Sequence, residues 1–347
     1  MPVMDWSEEH VNTIVTSAFS ALLGRQPDDV ARDFYVDHLL HGRLSVEDFL
    51  RQVLASTEFK ENSRAYGYTT DEDAVIQGSL AQPAVRDLSS RLGERVEASS
   101  AHFADLVSAS GLPITEIPGQ AEYVLEHRQR FFELFQAAAL LTEHIDHPRI
   151  LEFGASGFST LYRRLLPGCR LVLADRPMPE ECPGFRAMAP ERLGNPEAFI
   201  EVDLTGPLGP AAEALDRHGP YDLVVFTEVL EHLARNPIEV MRFLLGRAAS
   251  RGCVYVTTPN AFARGKLHLI GRRRNPQQMF PPRDANWDAH HHVREYSMSE
   301  LIEIVEAAGG RVRALYFSSC WDEPEYLDYV RRHPDERGNL VIVASPS

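Results

Sequence analysis

The densest set of groups able to do chemistry is Glu228-Val229-Leu230-Glu231-His232. Read as the opening of a helix that starts near Glu228, it puts Glu231 and His232 one turn on, facing the same region. Two carboxylates and an imidazole can hold a divalent cation such as Mg, Mn or Zn. A fourth ligand is available in His292, the last of His290-His291-His292. A cation held there would lower the pKa of a coordinated hydroxyl and orient it for attack. Without a metal, His232 or His292 is placed to work as a general base, with Glu228 beside it. The same side chains can also pack and cap a helix, and spacing alone leaves these three readings open. His290 and His291 read as solvated loop residues.

A second group of residues needs a sheet to gather it. Ile150-Leu151-Glu152-Phe153 is an apolar run ending beside an acid, and Gly154-Ala155-Ser156-Gly157 follows before a helix-like run, Leu161 to Leu166. This is the pattern of a buried parallel strand, a tight turn and a helix start. Such a turn exposes backbone N–H groups and lets a ligand approach the chain closely. By itself a glycine turn after a strand is often only a turn. Further strands are expected at Arg170–Ala174, Ala198–Val202, Leu223–Phe226, Cys253–Thr257, Arg311–Phe317 and Leu340–Ala344, with helical connections. Seven strands alternating with helices imply an α/β fold, a doubly wound and mostly parallel Rossmann-like sheet. Ligands of such sheets sit beyond the carboxyl ends of the strands. The polar residues Glu152, Asp175, Asp203, Glu228 and Asn260 fall at those ends.

In order and spacing, LEFGASG, LVLADR, EVDL, YDLVVFTEVLEHLARNP, VYVTTPN and HVREYSMSELIEIVEAAGG resemble the motifs of class I S-adenosylmethionine-dependent methyltransferases, over roughly residues 120 to 347. The resemblance implies a seven-stranded sheet with an antiparallel last strand. It implies that Gly154, Ala155, Ser156 and Gly157 line the methionine part of S-adenosylmethionine, with Glu152 facing its amino group. It gives Asp175 to the ribose hydroxyls and Asp203 with Leu204 to the adenine. Thr227 and Glu228 then border the sulfonium and the substrate. Ser156 and Phe158 stand where this family often has glycine. The ExxEH segment with a later histidine also resembles the metal site (Glu228, Glu231, His232 and His292 here) of methyltransferases acting on RNA 3′ ends. Quinone-biosynthesis O-methyltransferases share the ExxEH part.

Ahead of that domain, residues 10 to 63 carry apolar stripes of three short helices. Val11, Ile14, Val15, Ala18 and Phe19 form the first, Phe34, Tyr35, His38 and Leu39 the second, and Val46, Phe49, Leu50 and Val53, capped by Ser45, the third. The wording LLGRQPDD, FYVDHLLHG and SVEDFLRQVLASTEF resembles the helical module related to phycobilisome linker domains, which accompanies bacterial surface-glycan and exported-polymer proteins. The expected organisation is a helical module over 1–65, a connector over 66–117 with a helix from Asp87 to Val107, and the methyltransferase domain over 118–347. The connector side of that domain opens on a helix from Tyr123 to Ile145.

The chain has 347 residues, 44% of them hydrophobic, and a formal net charge of −15. That charge disfavours nucleic acid and anionic surfaces as general partners. The basic stretch Arg264, Lys266, Arg272, Arg273, Arg274, with Phe280 and Trp287, is the exception, placed as a lid over a phosphate or carboxylate of the substrate or as a solvated loop. Four cysteines without a CxxC pair, an acidic start without an apolar core, and no 18-residue apolar run favour a cytoplasmic protein without a membrane span. The expected function is O-methylation of a small molecule, sugar or glycan precursor, with a protein partner for the N-terminal module. The alternatives are a metal-dependent RNA methyltransferase and a non-catalytic S-adenosylmethionine-binding scaffold.

Overall fold

A computed structural model describes residues 7–23, 25–56, 72–98, 120–155, 159–177, 190–276 and 292–347. The chain divides into two compact units, Met1–Val75 and Ile76–Ser347.

The first unit holds helices α1 (Glu8–Leu23), α2 (Asp29–Leu40) and α3 (Val46–Ala55). Their shared core is Val11, Val15, Ala18 and Phe19 from α1 with Val36, Phe49 and Val53. Asp28 and Ser45 cap α2 and α3 by accepting the Ala31 and Asp48 N–H groups. Phe34, expected in the apolar stripe of α2, instead lies 48% exposed and stacks on His38. Tyr35 fills the core side, its ring 4.7 Å from that of Phe49.

The second unit is a seven-stranded sheet in the order β3-β2-β1-β4-β5-β7-β6. The strands are β1 (Arg149–Phe153), β2 (Arg170–Asp175), β3 (Ala198–Glu201), β4 (Tyr221–Thr227), β5 (Ala248–Pro259), β6 (Gly310–Ser318) and β7 (Asn339–Pro346). β1 to β5 pair in parallel, and β7 runs antiparallel between β5 and β6. The direction of strand addition reverses between β1 and β4, so a crevice opens at their carboxyl ends. Both faces are covered, which is why the strands read as unbroken apolar runs rather than alternating ones. On one face Ile150, Leu171, Leu223 and Val225 meet Phe131, Phe132 and Phe135 of α5 (Gln120–Leu141), and α4 (Pro83–Ala98) adds Leu92. The Ser89 hydroxyl of α4 accepts the Leu315 N–H of β6 at 3.0 Å, so this helix is built into the sheet unit. On that same face α6 (Thr160–Leu165) adds Leu161 and Tyr162, the Tyr162 ring 4.9 Å from that of Phe135. On the other face Phe243 of α8 (Pro237–Leu245), which follows β4, packs edge-on to Phe153. α7 (Leu208–Asp216) makes the crossover from β3 to β4, and α10 (Met298–Ala307) precedes β6. α9 (Arg264–Gly271) follows β5.

One expected element is absent. No helix starts at Glu228: its φ is +54°, a left-handed conformation that cannot open a right-handed helix. Leu230–His232 makes a single 3₁₀ turn, Leu233 is extended, and α8 begins only at Pro237. The start is fixed there by Pro237 at the first helical position and by Asn236, whose side chain accepts the Ile238 N–H at 3.0 Å.

Candidate active site

β1 and its turn make the first wall. Gly154 has φ +74°, and a Cβ there would stand 3.2 Å from Val229 Cγ2 across the crevice, so the backbone lies bare where a ligand would meet it. Its N–H is spent on the Ala174 carbonyl. Ala155 is buried, while Ser156, Gly157 and Phe158 lie outside the described residues. Glu152 is buried and accepts the Ser159 hydroxyl and, at 3.4 Å, the Tyr162 hydroxyl. Burial pushes its carboxyl up to about 7, against the two hydroxyls and the Arg130 charge.

Asp175 ends β2, half-buried, and accepts the Arg176 N–H at 2.8 Å. Burial raises its pKa as well. Asp203 follows β3, exposed, and is held by its own turn: Oδ1 accepts the Thr205 N–H at 2.8 Å and hydroxyl at 2.6 Å. Those bonds keep its pKa low. Leu204 is buried. Arg235, from the loop after β4, clamps this turn by donating to the Gly206 carbonyl at 2.5 Å.

β4 supplies the opposite wall. Thr227 ends the strand half-buried, and Glu228 follows. The Glu228 carboxylate is fixed by three donors from three places: Thr257 Oγ1 of β5 at 2.6 Å, Asn339 Nδ2 of β7 at 2.9 Å and Trp321 Nε1 at 2.9 Å. A non-glycine residue held left-handed by so many bonds stores strain at the strand end, as functional positions often do.

Glu231, His232 and His292 converge. One ligand atom from each lies within 4.8 Å of the other two. The imidazoles meet edge-to-face at 5.0 Å between centroids. Glu231 is buried and accepts the Thr258 hydroxyl at 3.0 Å; burial and then the nearby Glu228 charge drive its pKa well up. Glu228 is not a member of this trio, its oxygens being turned to Thr257, Asn339 and Trp321. His292 reaches the trio because the Val293 and Arg294 N–H groups donate to the Glu231 carbonyl and the Ala261 N–H to the Tyr296 carbonyl. His292 Nδ1 is 2.7 Å from Glu295, which also binds Lys266. Burial pushes Glu295 up, but His292 and Lys266 outweigh it and leave its pKa lowered.

Other features of the site went unread in the sequence. α5 sends Arg130 and buried Glu133 towards it from one turn. The Arg130 guanidinium lies 5.8 Å from the Trp321 ring, and His127 meets the same ring at 4.6 Å. Burial raises Glu133 to about 7. The signal was present: charged residues inside HRQRFFELFQAAALL interrupt a helix that is otherwise apolar. Of the basic stretch, Arg264 lies against Tyr329 and pairs with Glu336, and Lys266 is tied to Glu295 and the Asn260 carbonyl. Only Arg272, Arg273 and Arg274 are exposed. Phe280, Trp287, His290 and His291 lie outside the described residues.

A family model described as a methyltransferase domain matches residues 123–315, more than half of the 347-residue chain. The chain belongs to the methyltransferase domain family. As a methyltransferase of this type it uses S-adenosylmethionine, and the crevice fits that group. A buried acid on β1 and a half-buried acid ending β2 are acceptors suited to an amino group and ribose hydroxyls, and the left-handed glycine keeps the backbone between them free of a side chain. Solved structures of similar fold include the O-methyltransferase of a polyketide synthase multienzyme of Brevibacillus brevis in complex with S-adenosyl-L-homocysteine, at 16% identity over 67% of this chain and 81% of that one, TM-score 0.41. An S-adenosylmethionine-dependent methyltransferase from Archaeoglobus fulgidus matches at 15% identity over 65% and 99%, TM-score 0.38. The magnesium protoporphyrin IX methyltransferase of Synechocystis matches at 18% over 67% and 88%, TM-score 0.38. No curated protein sequence matches the chain.

Proposed function

We propose that this methyltransferase methylates a hydroxyl of a small molecule, sugar or glycan precursor. The observation that carries the reading is the Glu231–His232–His292 trio beside the mouth of the crevice. S-adenosylmethionine supplies an electrophilic methyl group on a sulfonium, and a hydroxyl acceptor must lose its proton to receive it. Glu152, the Gly154 turn and Asp175 bind and orient the donor. Glu228, locked by Thr257, Asn339 and Trp321, forms a rigid wall where donor and acceptor meet. Positioning of this kind can be worth about 7–11 kcal/mol. His232 or His292 takes the acceptor's proton.

The trio's donor set, one carboxylate and two imidazoles, also suits a divalent cation, which would acidify and orient the same hydroxyl. Methyl transfer to a panel of sugars, phenols and RNAs, with and without EDTA, tests the reading. Methylated sugars or phenols are the expected products. Tight S-adenosylmethionine binding without turnover on any acceptor would point to a scaffold, RNA products would replace the acceptor class, and EDTA-insensitive activity would leave the histidines as base alone.

A further inference from the structure

Glu295 has no place in the chemistry above, yet it touches the trio directly and is held from two sides. Its carboxylate is almost wholly buried, at 8% exposure. Oε1 lies 2.7 Å from His292 Nδ1, and Oε2 lies 2.5 Å from Lys266 Nζ. Lys266 in turn donates to the Asn260 carbonyl at 2.9 Å, just past the end of β5. A rod of polar contacts thus runs from the sheet through α9 to the ring of His292. An acid paired with an ammonium is a carboxylate, and a carboxylate only accepts. The His292 Nδ1 must therefore carry a hydrogen, and in the neutral ring Nε2 is then the bare nitrogen.

We propose that Glu295, braced by Lys266, is a positioning residue that fixes His292 in the Nδ1–H form with Nε2 presented to Glu231 and His232. Resting on the hydroxyl-methylation reading above, it holds for either use of the trio, since a base and a metal ligand both need a bare Nε2. Carboxylates orient imidazoles in this way behind both metal sites and proton-transfer sites. It also gives part of the basic stretch a structural role. Lys266 braces the site from within, and α9 is the arm that delivers it.

The test is nitrogen NMR of the full chain with 15N-labelled histidine, at a pH where the ring is neutral, with His292→Asn assigning the signal. Wild type is expected to show His292 protonated at Nδ1. Glu295→Leu is expected to lose that preference and to lower kcat by about 10–100-fold while KM for S-adenosylmethionine stays put. Glu295→Gln, whose amide carbonyl can still accept, is expected to recover the Nδ1–H signature and most of kcat. A His292 protonated at Nε2 in wild type overturns the proposal, as does an unchanged tautomer in Glu295→Leu. The wild-type spectrum decides even if the leucine variant does not fold. Because the tautomer is read without turnover, failure of the hydroxyl-methylation reading would show separately, as absent transfer with the signature intact.

Discussion

At the residue scale, the proposed donor site makes a prediction about the charge of Glu152. Its carboxyl, raised to about 7 by burial, is largely protonated at pH 6 and ionised at pH 8. A cationic amino group prefers the ionised form, so S-adenosylmethionine affinity is expected to tighten about tenfold between those pH values. Calorimetry on wild type and Glu152→Gln checks this: the variant's profile should be flat, and a flat wild-type profile would remove Glu152 from the donor site. Asp175→Ala is expected to abolish donor binding outright, and unchanged affinity by the same method would show the ribose assignment wrong. The positions of the two acids were readable because each lies at the carboxyl end of a strand, close to a turn. Glu228 was legible as a position but not as a conformation, since nothing in EVLEH says that its φ is positive. Glu295 was invisible as a functional residue because its meaning depends on Lys266, 29 positions away.

At the scale of elements, the strands were readable because both faces of the sheet are covered, which makes each a short apolar run. The segment after β4 departs from its local helical spacing because burial of Leu230 and Glu231 and the Asn236-Pro237 start outweigh it. The segment His292–Tyr296 is held at one end by Glu231 and at the other by the N-terminus of α10. There Ser297 and Glu300 form a reciprocal capping box. Ser297→Ala is expected to cost about 1 kcal/mol of stability, read as a shift in the denaturant midpoint. A loss within experimental error would show that the box does not tether this segment. α5 brings a different liability. Glu133, raised to about 7 by burial, binds a proton in the folded state that it has released in the unfolded state between about pH 4.5 and 7. Its contribution is therefore full in acid and lost as pH rises through 7. The melting temperature of the ligand-free protein should fall from pH 5 to pH 8. Glu133→Gln should flatten that slope and recover at most about 3 kcal/mol at pH 8; an equally steep slope would mean the burial cost lies elsewhere.

At the scale of the molecule, the division at Val75 and Ile76 separates a three-helix unit with its own core from the sheet unit that holds every candidate site residue. A fragment spanning Ile76–Ser347 is expected to fold cooperatively and to bind S-adenosylmethionine as tightly as the whole chain. A fragment that aggregates, or binds more than tenfold more weakly, would show that the helical unit supports the site. Among the described residues no helix is long and apolar enough to cross a membrane. The first unit offers a core and exposed Phe34 but, among its described residues, no group of side chains placed to hold a metal ion. For that reason its sequence conveyed a shape and little about a role.

The position of β7 has a consequence in time. It is the last strand to be synthesised, yet it lies inside the sheet, with β6 waiting beyond it. It also carries Asn339, one of the three donors that lock Glu228. A nascent chain halted before Asn339 would have most of the donor crevice but a loose acceptor wall and two unpaired sheet edges. The wall around Glu228 is thus completed only by a strand that follows every strand of the crevice in the chain, so the sheet's centre and that wall close in the same step.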